Sequence, residues 1–217
     1  MSFRQTAYLS TSYLAPVEYY SKMVAYNKVV IEQHDHYIKQ TYRNRCHIAG
    51  PEGVLNLSIP IIRPDTLKCK TKDIRISDHG NWRHLHWNAL ESAYNSTPFF
   101  EYYKDDFQPF YEKKYAFIAD FNRELLLLIC KLIDISPEIE YTAEYKTGFT
   151  AAEKDFRELI HPKKDFRVED PEFTPIPYYQ VFEERHGFLP NLSIVDLLFN
   201  MGPESLLVLS KSTLLCH

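Results

Sequence analysis

The spacing of apolar positions changes several times along the chain, and each change marks an element. "TAYLS" (Thr6–Ser10) and "KVVIEQ" (Lys28–Gln33) are short β-prone runs, the second rich in branched residues. Between them, "VEYYSKMVAY" sets Val17, Tyr20 and Val24 on one helical stripe. Pro16 sits at the first helical turn, where a missing N–H is tolerated, and Asn27 is a stop. Strand, helix and strand in so short a span predict a βαβ unit with parallel strands. "RCHIAGPEGVLNLSIPI" predicts a β-hairpin turning at "GPEG". Alternation puts Cys46, Ile48, Leu55, Leu57 and Ile59 on its buried face, with Arg45, His47, Asn56 and Ser58 opposite. "DIRIS" reads as a further strand.

Helical spacing then takes over. "NWRHLHWNALESAYNSTPFF" predicts a helix opening near Asn81 and ending before Pro98. "DDFQPFYEKKYAFIADFNRELLLLICKLIDI" predicts one long helix, with Phe110, Phe117, Phe121, Leu125, Leu128 and Leu132 at helical spacing and Pro137 closing the region. From "EYTAEYKTGF" to "PEFTPIPYY" the pattern weakens, and Pro171, Pro175 and Pro177 predict an ordered connection with short extended pieces. "LSIVDLLFNMGPESLLVLSKS" predicts two helices: Ser193 and Asp196 resemble a capping pair, Gly202 stops the first and Pro203 opens the second. The expected fold is α/β. It comprises a Rossmann-like mixed sheet starting with a βαβ unit, a β-hairpin, and a helical second half. One domain is expected over residues 1–217, with an α/β part over 1–78 and a mainly helical part over 79–217.

Composition narrows the function classes. The chain is 45% hydrophobic and carries a formal charge of -4, so it can build a core but lacks the basic excess with which nucleic-acid binders displace counterions. No nucleic-acid partner is expected. The most apolar run, "ELLLLICKLIDI", is too short to span a bilayer and contains Lys131, so no membrane insertion is expected. "MSFRQTAYLS" has no apolar stretch of the secretory kind, which points to the cytoplasm. Cys46, Cys69, Cys130 and Cys216 form no C-x-x-C pair. The dinucleotide, Walker, nucleophile-elbow and zinc-protease motifs are missing too, so neither metal nor cofactor is expected. The residues leave a homo-oligomer open.

"KQTYRNRCHI" (Lys39–Ile48) concentrates positive charge in a slightly acidic chain. As a strand, it would put Lys39, Arg43, Arg45 and His47 on one face; as a helix, it would align Lys39, Arg43 and His47. Like charges at such spacing repel unless an anion or carboxylates lie among them, and the arginine fork suits phosphate. The cluster follows the second strand's carboxyl end, where parallel sheets collect ligands. The plainer alternative is a solvated face paired with Glu32 or Asp35. Ser10 and Thr11 precede the first helix, whose free N–H groups favour an anion. The expected partner is a phosphorylated or nucleotide-linked small molecule, with Lys39, Arg43 and Arg45 on the phosphate. Gln33 and Asn44 would orient it, and His34 or His86 would move a proton. For either histidine, a hydrogen-bonded structural role is the competing reading. His84 and His86 would point to nearly opposite sides of a helix, so they would not share a metal.

The ordered set "STSYLAPVEYYSKM", "VVIEQHDHYIKQTYRNRCHI", "GVLNLSIPI", "NWRHLHWNALESAYNSTPFFEYY" and "FLPNLSIVDLLFNMG" resembles the WbqC-like proteins of bacteria over nearly the whole chain. The family pattern falls at Tyr13 and Pro16; at Lys39, Asn44 and Arg45; at Leu57 to Pro60; at Trp82 and His86; and at Leu192 to Leu197. One departure is "EQ" at the end of the second strand, where many members carry Asp. The resemblance implies a part in surface-polysaccharide (O-antigen) biosynthesis. Two readings follow. One is a transferase acting on a phosphorylated or nucleotide-activated sugar. The other is a non-catalytic scaffold of the assembly pathway, using the aromatic stretch "PFFEYYKDDFQPFYEKKY" as a contact surface. A deep polar pocket lined by Arg43, Arg45 and His34 would favour the first.

Overall fold

The computed structural model describes residues 5–64, 66 and 68–213; Cys216 lies outside them. Strand β1 (Thr6–Ser10), helix α1 (Val17–Ala25) and strand β2 (Lys28–Glu32) form the expected unit, with β1 and β2 parallel and Ala7 opposite Val29. Ala7, Leu9, Val29 and Ile31 are buried in the main core beside α1, as the period of two requires. The other face carries Thr6, Tyr8, Ser10, Lys28, Val30 and Glu32 and is largely polar.

Two more strands complete the sheet, and both come from the stretch where the sequence pattern is weak. β5 (Glu138–Tyr141) pairs with β2, and β6 (Glu153–Asp155) pairs with β1, giving the parallel order β5-β2-β1-β6. The sheet therefore draws on both halves of the chain. All four carboxyl ends lie at one edge of the sheet. β5 and β6 occupy opposite flanks, so residues 142–152 must pass from one flank to the other. They do so as a strap over the polar face, where Phe149 packs edge-on against Tyr8.

The hairpin is a separate antiparallel sheet of β3 (Arg45–Gly50) and β4 (Gly53–Ser58), turning at Pro51–Glu52. Gly53, at φ 106, holds a conformation that side chains disfavour. Cys46, Ile48, Leu57 and Ile59 are buried as alternation predicts. Leu55 is not: α2 (Trp82–Tyr94) and α7 (Ile194–Met201) cover β3, while Leu55 lies on the outer strand near the turn. "DIRIS" makes only isolated bridges, Ile61 with Ile76 and Arg75 with Phe117.

The single long helix divides into α3 (Phe100–Glu112) and α4 (Ile118–Leu132). The backbone between them is committed elsewhere: Ile76 N donates to Ala116 O, and Ile118 N donates to Ile74 O. Apolar spacing persists across the break because Phe110 stacks on Tyr115 and both pack against Phe121. Phe100, Phe107, Tyr111 and Tyr115 are buried, each contributing roughly 1.5–3 kcal/mol by leaving water. Most of the proposed aromatic contact surface is therefore core, and Tyr102 is its exposed ring.

The short helices α5 (Phe166–Glu169) and α6 (Glu183–His186) precede α7, and α8 (Ser205–Lys211) follows it. Ser193 caps α7 through Val195 N, and Gly202 ends it at φ 53. Asp196 is not the reciprocal cap. It is fully buried and accepts from Tyr94 Oη at 2.9 Å, Tyr178 Oη at 2.7 Å and Gln180 Nε2 at 2.9 Å. Three donors let a carboxylate stay inside the protein, joining α2 and the proline-rich connection to α7. Among the described residues, no helix is long and apolar enough to cross a membrane.

Candidate functional site

Two buried arginines gather the carboxyl ends of the parallel strands. Arg43 Nε donates to Asp35 Oδ2 at 3.0 Å, and its Nη2 reaches Asp35 Oδ2, Ser10 Oγ at 3.0 Å and Glu158 Oε1 at 3.1 Å. Arg157 donates through Nη1 to Glu32 Oε2 at 2.8 Å, and through Nε and Nη2 to the two oxygens of Asp155, each at 2.8 Å. Glu32, fully buried, also accepts from Thr142 Oγ1 at 2.8 Å and from His34 N at 2.7 Å. A buried ion costs several kcal/mol unless paired and hydrogen-bonded. Here the pairs link the segments after β1, β2, β5 and β6, so the loop ends are held by charge as well as by the sheet.

Over this floor lies a cleft of about 620 Å³, a size suited to a small molecule. His34, Asp35, His36 and Ile38 line it from the segment after β2, joined by Lys70, Tyr145 and Glu158. Thr71 N donates to Asp35 O at 2.9 Å and Lys72 N to Gln33 O at 3.0 Å, which fixes that segment from the side. His34 Nδ1 and Asp35 Oδ1 are buried and have no hydrogen-bond partner among the described residues. An unsatisfied buried polar atom costs roughly 1–3 kcal/mol, so each of the two is a place where a water or a small shift of the cleft wall would be stabilising. No group of three or more His, Cys, Asp or Glu suited to a metal ion occurs among the described residues.

The residues singled out in the sequence are placed unevenly. Ser10, Arg43 and His34 meet at the cleft or its floor. Thr11 and Gln33 stand behind it: Thr11 Oγ1 accepts from Asn122 Nδ2 at 3.3 Å, and Gln33 Nε2 donates to Thr142 O at 3.4 Å. Asn122 Nδ2 also donates to Arg43 O at 2.9 Å, bracing the turn that carries the arginine. Lys39 is exposed. Asn44 closes the base of the hairpin, with Nδ2 donating to Ile59 O at 2.8 Å. Arg45 opens β3, and its charge adds to burial in holding the His47 pKa below the usual histidine value. Residues 39–44 form turns and bends, with Gln40 at φ 62, rather than a strand or helix, so neither period sets Lys39 and Arg43 on one face with His47.

His86 is a core residue. Its ring packs on Trp82 and Tyr13, and its Nδ1 lies 2.9 Å from Tyr13 Oη, which is 2.8 Å from Tyr111 Oη. Burial lowers its pKa to about 4, so it is neutral in ordinary buffers. His84 is exposed and lies 3.0 Å from Asn88. The anion site expected before α1 is also absent: Val17 N donates to Leu192 O and Glu18 N to Asn191 Oδ1, each at 2.9 Å. Asn191 Nδ2 returns a bond to Glu18 Oε2 at 2.9 Å. Lys70, Tyr145, Arg157 and Glu158 are site residues that the sequence reading missed, because they reach the cleft from separate segments and no local pattern marks them.

The profile of the WbqC-like protein family matches residues 11–162. The uncharacterized protein Rv1507c of Mycobacterium tuberculosis is 24% identical over 222 residues, covering 93% of this chain and 96% of that protein. No solved structure matches. The matched region starts just past β1 and ends beyond Glu158, so it takes in every residue that lines the cleft and both arginines beneath it. The chain belongs to the WbqC-like protein family.

Proposed function

We propose that the chain is a transferase of surface-polysaccharide (O-antigen) assembly, working in the cytoplasm on a phosphorylated or nucleotide-activated sugar held in the cleft. The observation that carries this reading is the cleft at the carboxyl edge of a parallel sheet, lined by His34, Asp35, His36 and Lys70. Lys70 supplies a point charge for phosphate. His34 is the proton carrier, its backbone fixed by Glu32. Arg43 has its bonds spent on Asp35, Ser10 and Glu158, so it holds Asp35 in place for the sugar or its carrier. The inward turn of the aromatic stretch weighs against a scaffold.

Calorimetric titration with a panel of nucleotide sugars and sugar 1-phosphates tests the reading. Lys70→Ala is expected to weaken binding about tenfold. His34→Ala is expected to retain binding and lose turnover. A wild-type chain that binds no phosphorylated compound would end the proposal.

A further inference from the structure

Tyr145 is an aromatic side chain left half-exposed on the cleft wall, at 51%. It sits on the strap, which has neither helix nor strand around it, yet its ring has firm backing. The Arg157 guanidinium lies 4.7 Å from the ring centroid and 5.1 Å from that of Phe149. Arg157 is itself tied to Glu32 and Asp155. The cation is thus held against the ring by groups that cannot easily move, and a stacking partner would find the ring already ordered. Ile38, 44% exposed, is a second apolar group on the same cleft. Asp35 lines the same cleft, and its carboxylate is an acceptor of the kind that suits a sugar hydroxyl.

A sugar phosphate alone would explain Asp35 and Lys70 but would leave the Tyr145 ring and Ile38 in contact with water. A flat heterocycle would cover them. We infer that the cleft takes a nucleoside phosphate, with its base stacked on Tyr145, a ribose hydroxyl donated to Asp35, and the phosphate directed to Lys70. The inference rests on the reading of the cleft as a site for phosphorylated molecules and adds the part of the ligand that Tyr145 recognises.

The test compares uridine diphosphate, adenosine diphosphate, inorganic pyrophosphate and glucose 1-phosphate by calorimetry on the full chain. The nucleoside diphosphates should bind about tenfold or more tightly than pyrophosphate, as expected for one stacked base. Tyr145→Ala should abolish that advantage, Tyr145→Phe and Tyr145→Trp should keep it, and Tyr102→Ala, at an exposed ring elsewhere, should not alter it. Tyr145→Leu retains apolar bulk over Arg157 but presents no flat face, so it should behave as Tyr145→Ala does even if the alanine variant folds poorly. An unchanged nucleotide advantage in Tyr145→Leu overturns the inference, as does equal binding of all four compounds. Either result leaves the phosphorylated-ligand reading standing. Binding of none of the four overturns both.

Discussion

Arg157 Nη1 lies 2.8 Å from Glu32 Oε2, and the two side chains are 5% and 0% exposed. They join the ends of β2 and β6, strands that do not touch each other in the sheet. Removing one member of such a pair strands the other charge. Glu32→Ala is expected to lower the unfolding free energy by about 3–5 kcal/mol, measured by urea denaturation. Glu32→Gln keeps an acceptor for Thr142 and for His34 N, so it should cost less. An alanine variant within about 1 kcal/mol of wild type would mean that Asp155 alone satisfies Arg157.

Asp196 and His86 should give pH dependences of opposite sign. Burial raises the Asp196 pKa from 3.8 to about 6, although its three hydrogen-bond donors pull the other way. The folded state therefore holds that proton more tightly than the unfolded chain does. The contribution is full below pH 3.8 and is lost as pH rises through about 6, about 3 kcal/mol in all. Against an Asp196→Asn variant, which cannot titrate, the wild type should lose stability between pH 4 and pH 6.

His86 works in the other direction. Burial lowers its pKa from 6.5 to about 4, so the unfolded chain takes up the proton first as pH falls. Its contribution is full above pH 6.5 and disappears as pH drops through about 4, again about 3 kcal/mol. Wild type minus His86→Phe should therefore rise with pH over this window. Parallel curves for wild type and variant would show that the ring can meet water in the folded state.

Gly202→Ala should be among the more damaging single methyl additions in the chain. A Cβ there would run into the Phe99 ring, at a backbone φ of +53 that disfavours side chains. A loss of about 2–4 kcal/mol is expected, read as a fall in melting temperature. Phe99→Ala should relieve part of the clash, so the double variant should be less impaired than the sum of the two singles.

Asn191 holds the first turn of α1 from far along the chain, with its own backbone at φ 56. Both Asn191→Ala and Asn191→Gly lose the cap and the bond to Glu18 Oε2, and Asn191→Ala strains the backbone as well. Losses of about 2 and 1 kcal/mol are expected by urea unfolding, in that order. Equal losses would mean the backbone relaxes.

The parts of this fold that were legible in the sequence are those built from near neighbours. β1, α1 and β2 show their own periods, and the hairpin shows its turn. β5 ("EIEY") and β6 ("EKD") are flank strands whose acidic and basic residues face water or salt-bridge partners, so they carry little hydrophobic signal. The cluster around Arg43 was visible as charge, but its meaning was not. Two acids decide that meaning, and one of them, Glu158, is 115 positions away. Asp196 misled in the same way: its spacing from Ser193 fits a cap, while its actual partners, Tyr94 and Tyr178, lie on other elements.

The strand order β5-β2-β1-β6 has a consequence for how the protein comes into being. As the chain leaves the ribosome, β1 and β2 can pair early, but both their flanks stay open until residues 138–155 arrive. Contacts over such sequence distances are slow to form and leave open strand edges that invite aggregation. Arg157 follows β6 by two positions, so the last segment to close the sheet also delivers the cation that locks Glu32 beneath the cleft. Nascent chains stalled before this point would have an incomplete sheet and an unassembled cleft together.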